Sequence, residues 1–258
     1  MTSNVTTRQT GPTLWLTLNR PEARNAMTLA MYDALAAACA GVPADGPIGA
    51  VVIHGAGGKA FAAGTDMTEF RSFTTPQDAV DYEAHMAGVM AAIETCAVPT
   101  IAALNGACTG GGAVIAAACD IRITSASLKF GVPIARTLGN CLSAANLARL
   151  TSLLGAGRVR ELIFTARLMG ADEAFAAGLV TEVLDDEPAL MAWAEALAEQ
   201  VASMAPLTLR ATKEAMRRNR EALAVDDHDL VTRCYMSADF KHGLEAFLAK
   251  KKPDWQGQ

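Results

Sequence analysis

Pro99-Thr100-Ile101-Ala102-Ala103-Leu104-Asn105-Gly106-Ala107-Cys108-Thr109-Gly110-Gly111-Gly112 is the stretch whose reading decides the fold. Residues 99–104 form a mostly apolar run of strand length, read as a buried strand. Residues 105–112 are a glycine-rich turn, and 113–118, small and aliphatic throughout, read as a helix. Where a strand passes through glycines into a helix, main-chain N–H groups at the junction lack partners and converge on one place. Glycine at 111 lets a ligand come close to the backbone. Ala62-Ala63-Gly64-Thr65-Asp66 is a second such junction. Two such donors meeting on one oxygen would make an oxyanion hole, which suits chemistry that builds negative charge on a carbonyl. Loss of one donor in such a site costs about 3 kcal/mol of barrier. Plain turns are the alternative reading of the same glycines.

Outward from this segment the chain alternates strands and helices. Residues 13–19 (TLWLTLN) alternate as a half-buried strand, and 49–54 (GAVVIH) read as a buried one. Apolar side chains at 27, 31, 35 and 38 form a helical stripe over 27–39. Thr75-Pro76-Gln77-Asp78 opens a helix expected to run to about residue 95, with a hydroxyl cap, a first-turn proline and an early carboxylate. Residues 120–124 (DIRIT) are the next strand. After Ser143 the periodicity is almost wholly helical, most clearly over 188–203, 206–220, 225–239 and 241–250. The expectation is an α/β core over residues 1–190 with a helical region, 191–258, docked on it.

The 258 residues are 51% hydrophobic and 19% charged, enough for a sizeable core and unlike a disordered chain. A net charge of −5 argues against nucleic acid as the main partner. No apolar run reaches membrane-spanning length, and the polar residues 1–12 lack signal-peptide character. Six scattered cysteines without a C-x-x-C pair read as reduced, mostly buried thiols of a cytoplasmic protein. His54, His85, His228 and His242 show no ligand spacing, so no metal site is expected. Gly55-Ala56-Gly57-Gly58-Lys59-Ala60 fits the loose dinucleotide pattern G-x-G-x-x-A and raises a dinucleotide oxidoreductase as a remote alternative. That pattern needs a helix to open at the glycines, whereas Phe61-Ala62-Ala63-Gly64 follows.

Four segments in order resemble the crotonase (enoyl-CoA hydratase/isomerase) superfamily over nearly the whole chain: residues 19–27 (NRPEARNAM), 61–70 (FAAGTDMTEF), 99–112, and 240–251 (FKHGLEAFLAKK). The resemblance implies a crotonase-like α/β fold of repeated ββα units with a C-terminal helical trimerisation region. It implies an acyl-CoA thioester as ligand, with coenzyme A entering as part of the substrate and no other cofactor, and a homotrimer or homohexamer. By position, the N–H groups of Thr65 and Gly111 would hold the thioester oxygen. Ala23, Ala26, Ala63, Gly64, Asp66 and Met67 would line the adenine and pantetheine path. Phe247 and Lys250 match positions near the nucleotide end, and Arg24 is a further candidate for a phosphate. The alternative for Arg24 and Lys250 is solvated surface charge. Lys213, Arg217 and Arg220 form a basic stripe on one helix, read as a solvated face or as a field favouring the CoA phosphates.

The resemblance breaks at the acyl end. The two glutamates with which the family's hydratases position water fall on Val114 and Ile134, which carry no protons. No Asp or Glu occurs between Asp120 and Glu161. Arg136 is a candidate for a substrate carboxylate. Asn140 or Ser143 would hold water or a substrate oxygen, capping being the favoured alternative for Ser143. Cys141 is a poor nucleophile without a base beside it. Asp66, Glu69, Asp81, Glu83 and His85 lie on the segment that covers the acyl end in relatives, and any of them is a candidate base. Asp66 is read as organising its own turn and His85 as a helix-face residue. A bound bicarbonate is a further route. The functional expectation is an acyl-CoA-processing enzyme that stabilises a thioester enolate, with a non-catalytic acyl-CoA binder or assembly subunit as the alternative.

Overall fold

A computed structural model describes residues 4–258; residues 1–3 of the polar segment 1–12 lie outside the described part. The chain opens with an antiparallel hairpin, β1 (Val5–Thr10) and β2 (Thr13–Leu18), turned at Gly11 with φ 54°. The sequence reading missed β1. It is an edge strand with five of six residues exposed, so it carries no apolar alternation of its own.

The remaining elements are α1 (Leu29–Ala40), β3 (Ala50–Gly55), β4 (Ala60–Ala62), α2 (Pro76–Glu94), β5 (Thr100–Leu104), β6 (Ala107–Thr109) and α3 (Gly111–Ala118). Then come β7 (Ile121–Ser125), β8 (Lys129–Gly131), α4 (Ile134–Thr137), α5 (Ala144–Thr165), α6 (Ala171–Ala176), β9 (Val183–Leu184), α7 (Glu187–Ala202), α8 (Pro206–Glu221), α9 (His228–Tyr235) and α10 (Ala238–Leu248). Three successive ββα units recur. In each, the first strand joins a six-stranded sheet ordered β1-β2-β3-β5-β7-β9, and the second joins a three-stranded parallel sheet ordered β4-β6-β8.

Both faces of the large sheet are covered, which is why its strands read as nearly continuous apolar runs. Leu16, Val51, Ile53, Ala102 and Leu104 face the main core. Their neighbours Trp15, Ala50, Val52, Ile101 and Ala103 face α7 through Leu190, Ala194 and Ala198. The boundary expected between residues 190 and 191 therefore falls inside a helix that forms one layer of this core.

Local chemistry accounts for the element ends. Thr75 and Asp78 complete a reciprocal capping box at the start of α2, as the sequence indicated. The glycine-rich turn at 105–112 contains β6, and α3 opens at Gly111, two residues earlier than expected. The helix expected over 225–239 is shorter, because the Ser237 hydroxyl accepts from the Phe240 N–H at 2.9 Å and starts α10. β9 interrupts the otherwise helical second half. Gly57 (φ 82°) and Gly58 (φ 70°) lead into β4 rather than a helix. Asn25 Nδ2 closes that loop onto the Ala60 carbonyl at 2.8 Å, and Asn105 Nδ2 onto the Gly58 carbonyl at 2.7 Å. The helix N-terminus that the dinucleotide alternative requires is not there, and that reading is withdrawn.

Candidate active site

The small sheet positions the site. Because β4, β6 and β8 are parallel neighbours, the segments leaving their carboxyl ends emerge side by side: 63–67, 110–114 and 132–142. Gly64 (φ 107°) and Gly110 (φ 54°) both occupy the left-handed half of backbone space. A β-carbon on Gly110 would lie 3.5 Å from Gly64 Cα, and one on Gly64 4.0 Å from the Gly111 nitrogen, so the two turns are in contact. Gly111 is the first residue of α3, where N–H groups have no intrahelical acceptor. Around Thr65, the Met27 N–H donates to the Gly64 carbonyl and the Asp66 N–H to the Met27 carbonyl, both at 2.8 Å. Alternation along this extended segment turns the Thr65 N–H to the opposite side. α3 itself is held at its far end by the buried Arg122, whose guanidinium donates to the Cys119 and Ala116 carbonyls.

These turns border a cavity of about 470 Å³. Of the residues singled out from the sequence, Arg24, Ala63, Gly64, Thr65, Met67, Gly111, Asn140 and Phe247 line it. Ala23, Ala26, Asp66 and Lys250 do not. The Asp66 carboxylate is engaged elsewhere: it accepts from the Thr68 N–H (3.0 Å) and hydroxyl (2.7 Å) and from Arg20 Nη1 (3.0 Å). Burial pushes its pKa up, but these donors outweigh burial and hold it below the usual carboxylate range. Lys129, exposed at the start of β8, joins Arg24 as a second cation on the rim, which the sequence reading did not pick out.

All three tyrosines of the chain line the cavity, and none was singled out from the sequence. Thr65 Oγ1 is hydrogen-bonded to the Tyr32 hydroxyl at 2.9 Å and to the Tyr82 hydroxyl at 3.0 Å. The threonine thus braces its own backbone amide, a side-chain role not expected of it. Burial raises the Tyr32 pKa to about 12, so it stays a neutral phenol at physiological pH. Tyr82 and Tyr235 join Phe70, Phe73 and Phe240 in an aromatic cluster with ring centroids 5.0–6.1 Å apart. That cluster ties the 67–72 turn and α2 to α9 and α10.

The candidate bases separate cleanly. His85 pairs with Asp33 on α1, and neither lines the cavity; Glu69 and Asp81 do not line it either. Glu83 does. Its Oε1 accepts from the Tyr235 hydroxyl at 2.9 Å. Ser143 stands at the start of α5, as expected of a cap, but makes no side-chain cap bond; Asp227 receives the Ala144 N–H instead. Asn140 Nδ2 donates to the Tyr235 hydroxyl at 3.1 Å. Arg136 is exposed and does not line the cavity. Cys141 lines it, but its pKa is pushed up by a hydrogen bond to Cys234 and by burial, which keeps the thiol protonated.

The basic stripe on α8 does not line the cavity, and two of its three residues turn to acceptors on other elements. Lys213 Nζ donates to the Val98 carbonyl (3.1 Å) and to Asp120, Arg217 pairs with Glu214 and Glu221, and Arg220 reaches Glu94 at 2.6 Å. The acceptors Glu94 and Asp120 lie about a hundred residues away in the chain, so helix periodicity alone did not reveal them.

A family model described as enoyl-CoA hydratase/isomerase matches residues 10–258. The chain belongs to this family. It is 33% identical over 260 residues to a short-chain-enoyl-CoA hydratase of Clostridium acetobutylicum, covering 97% of this chain and 96% of that one. Among solved structures it is similar to an enoyl-CoA hydratase/carnithine racemase from Magnetospirillum magneticum, at 35% identity and TM-score 0.79, covering 100% and 97% of the two chains. It is also similar to a methylmalonyl-CoA decarboxylase in complex with 2-nitronate-propionyl-CoA, at 25% identity and TM-score 0.89, with 98% of each chain covered. The fold is crotonase-like, as the sequence segments implied. Val114 and Ile134 both line the cavity.

Proposed function

We propose that this enzyme binds an acyl-CoA thioester with its carbonyl oxygen between the Thr65 and Gly111 N–H groups, and that these donors stabilise the enolate formed during turnover. The observation that carries this reading is the contact between two glycine turns at the ends of adjacent parallel strands, one bearing an orphan helix N–H and the other an amide turned away from its own bridge. Two fixed dipoles in a site walled from water stabilise developing charge without reorganising. Arg24 and Lys129 on the rim suit the phosphates of CoA, and the apolar and aromatic interior suits the acyl chain.

Acetoacetyl-CoA reports this directly, since stabilising its enolate raises the enolate ultraviolet absorbance whether or not turnover follows. A β-carbon at Gly111 would collide with the Tyr32 hydroxyl oxygen. The N–H is therefore removed as Gly111→Pro in a Tyr32→Phe background, and proline is tolerated at a first helical position. The double variant should lose the enolate band and about 10²–10³-fold in turnover relative to Tyr32→Phe alone. An unchanged band in a folded double variant rejects the reading. A strong band with no product from any thioester favours the non-catalytic binder, for which Val114 and Ile134 are the motivating residues.

The same reading includes a homotrimer or a dimer of trimers in the cytoplasm. Support comes from large apolar side chains left uncovered on the single chain, including Phe164 at 77% and Leu207 at 74% exposure. Sedimentation should give three or six times the 26.9 kDa chain mass, and a monomer at micromolar concentration would reject it.

A further inference from the structure

Two buried oxygens near the acyl cavity have no partner: Glu83 Oε2 and Asn140 Oδ1. Both residues line the cavity, and both are anchored on one atom, the Tyr235 hydroxyl oxygen. That phenol has one hydrogen, which goes to Glu83 Oε1. Asn140 must then present its NH₂ to the phenol oxygen, which fixes its carbonyl oxygen as the free end. The result is two buried acceptors, on residues that share one anchor and line one cavity, each with nothing to accept from. Buried polar atoms left unpaired cost about 1–3 kcal/mol each, so the arrangement calls for a molecule that donates twice. Water does so, and keeps a lone pair for attack.

We propose that Glu83 is the proton-carrying catalytic residue of this enzyme, sharing a water molecule with Asn140 and positioned by Tyr235. The inference rests on the thioester reading of the Thr65–Gly111 site. The substrate class is a 2-enoyl thioester, or its 3-hydroxyacyl product in the reverse direction. The water oxygen bonds to the β-carbon while its proton passes to Glu83 Oε2. The alkene electron pair moves toward the carbonyl, whose oxygen takes the negative charge at the two amides. Glu83 then returns the proton to the α-carbon and the C=O re-forms. One water is added, and the carboxylate is regenerated.

The surroundings tune this group. Burial raises the Glu83 pKa above the ordinary carboxylate value, the Tyr235 and Ser143 hydroxyls oppose the rise, and Asp227 adds to it. The other titratable groups facing it are Tyr32 from α1, Tyr82 from its own helix, Tyr235 from α9 and Cys141, none of them a cation. α3 carries no titratable side chain. A base with a raised pKa stands closer to neutrality, where general base catalysis is most effective.

The test is hydration of a panel of straight-chain 2-enoyl-CoA thioesters by the wild-type enzyme, Glu83→Gln and Tyr235→Phe. Glutamine keeps an oxygen for Tyr235 and puts its NH₂ where the unpartnered Oε2 stood, so the fold is retained. Because a raised folded-state pKa means that stability falls as pH rises through it, the variant should melt no lower than wild type at neutral pH. Glu83→Gln should lose about 10²–10⁴-fold in kcat while keeping the acetoacetyl-CoA enolate band. In wild type, kcat/KM should fall as the pH drops through the Glu83 pKa, and this acid limb should be absent from the residual activity of Glu83→Gln. Tyr235→Phe should move the limb to higher pH, which a purely structural tyrosine would not do. Glu83→Gln turnover within threefold of wild type overturns the inference, as does wild-type enzyme that hydrates no member of the panel. The enolate band, which depends on the two amides and not on Glu83, keeps such a failure distinct from failure of the thioester reading.

Discussion

Glu94→Ala is expected to remove about 3–5 kcal/mol of folding stability, read as a lower urea midpoint with an unchanged slope. Glu94, at the end of α2, is only 8% exposed, and its carboxylate receives both nitrogens of a two-pronged Arg149 contact at 2.8 and 2.9 Å. Arg149 on α5 is 6% exposed, and Arg220 on α8 reaches the same carboxylate at 2.6 Å. Alanine leaves two guanidinium groups without their counter-charge, one of them fully enclosed. The size of the loss comes from that stranded charge rather than from the worth of the pair. Glu94→Ala/Arg149→Met should accordingly recover most of it, since apolar replacement of a buried pair is often neutral. A double variant no more stable than the single one would contradict this account. Arg149 also donates to Asn146, a cavity-lining residue, so the single substitution should weaken ligand binding as well.

The second large effect is expected at Gly112→Ala. A β-carbon there would collide with the Ala62 carbonyl oxygen and lie 2.8 Å from the Ala62 side chain. Both belong to β4, the middle of a packed interior, and neither yields cheaply. Overpacking of this kind costs about 1–3 kcal/mol. The larger consequence is geometric, because α3 must slide away from β4 and carries the Gly111 N–H with it. On the proposed role of that N–H, its displacement by about 1 Å costs about 10²-fold in rate. Turnover should therefore fall far more than melting temperature does. Gly88→Ala is the matched control: nothing lies within 4 Å of its β-carbon, and removing a helical glycine should leave activity unchanged and stabilise slightly. Equal effects at the two positions would sink the argument.

The elements whose two faces are both buried were legible from sequence. GAVVIH and PTIAAL read directly as strands because each is apolar whichever way its side chains point. The capped start of α2 was legible for a different reason: the capping chemistry is contained within four consecutive residues. β1 was not legible, since its stability comes from β2. The turns at Gly64 and Gly111 were picked out because glycine marks them. The tyrosines were not, although their scarcity was a usable signal: a chain with three tyrosines places all of them around one cavity. Glu83 stood beside Glu69 and Asp81 as an undistinguished candidate base on paper. Only the arrival of Tyr235 from 152 residues away distinguishes it. The roles of Lys213 and Arg220 were misjudged on the same ground, because their partners come from distant parts of the chain.

Part of the cavity wall comes from α9 and α10, through Tyr235 and Phe247. Tyr235 anchors Glu83 and Asn140, Asp227 holds the first amide of α5, and Phe240 completes the aromatic cluster. A chain cut before α9 would lack the phenol that anchors both Glu83 and Asn140, so the two would lose their common support while the sheets' own strands remained.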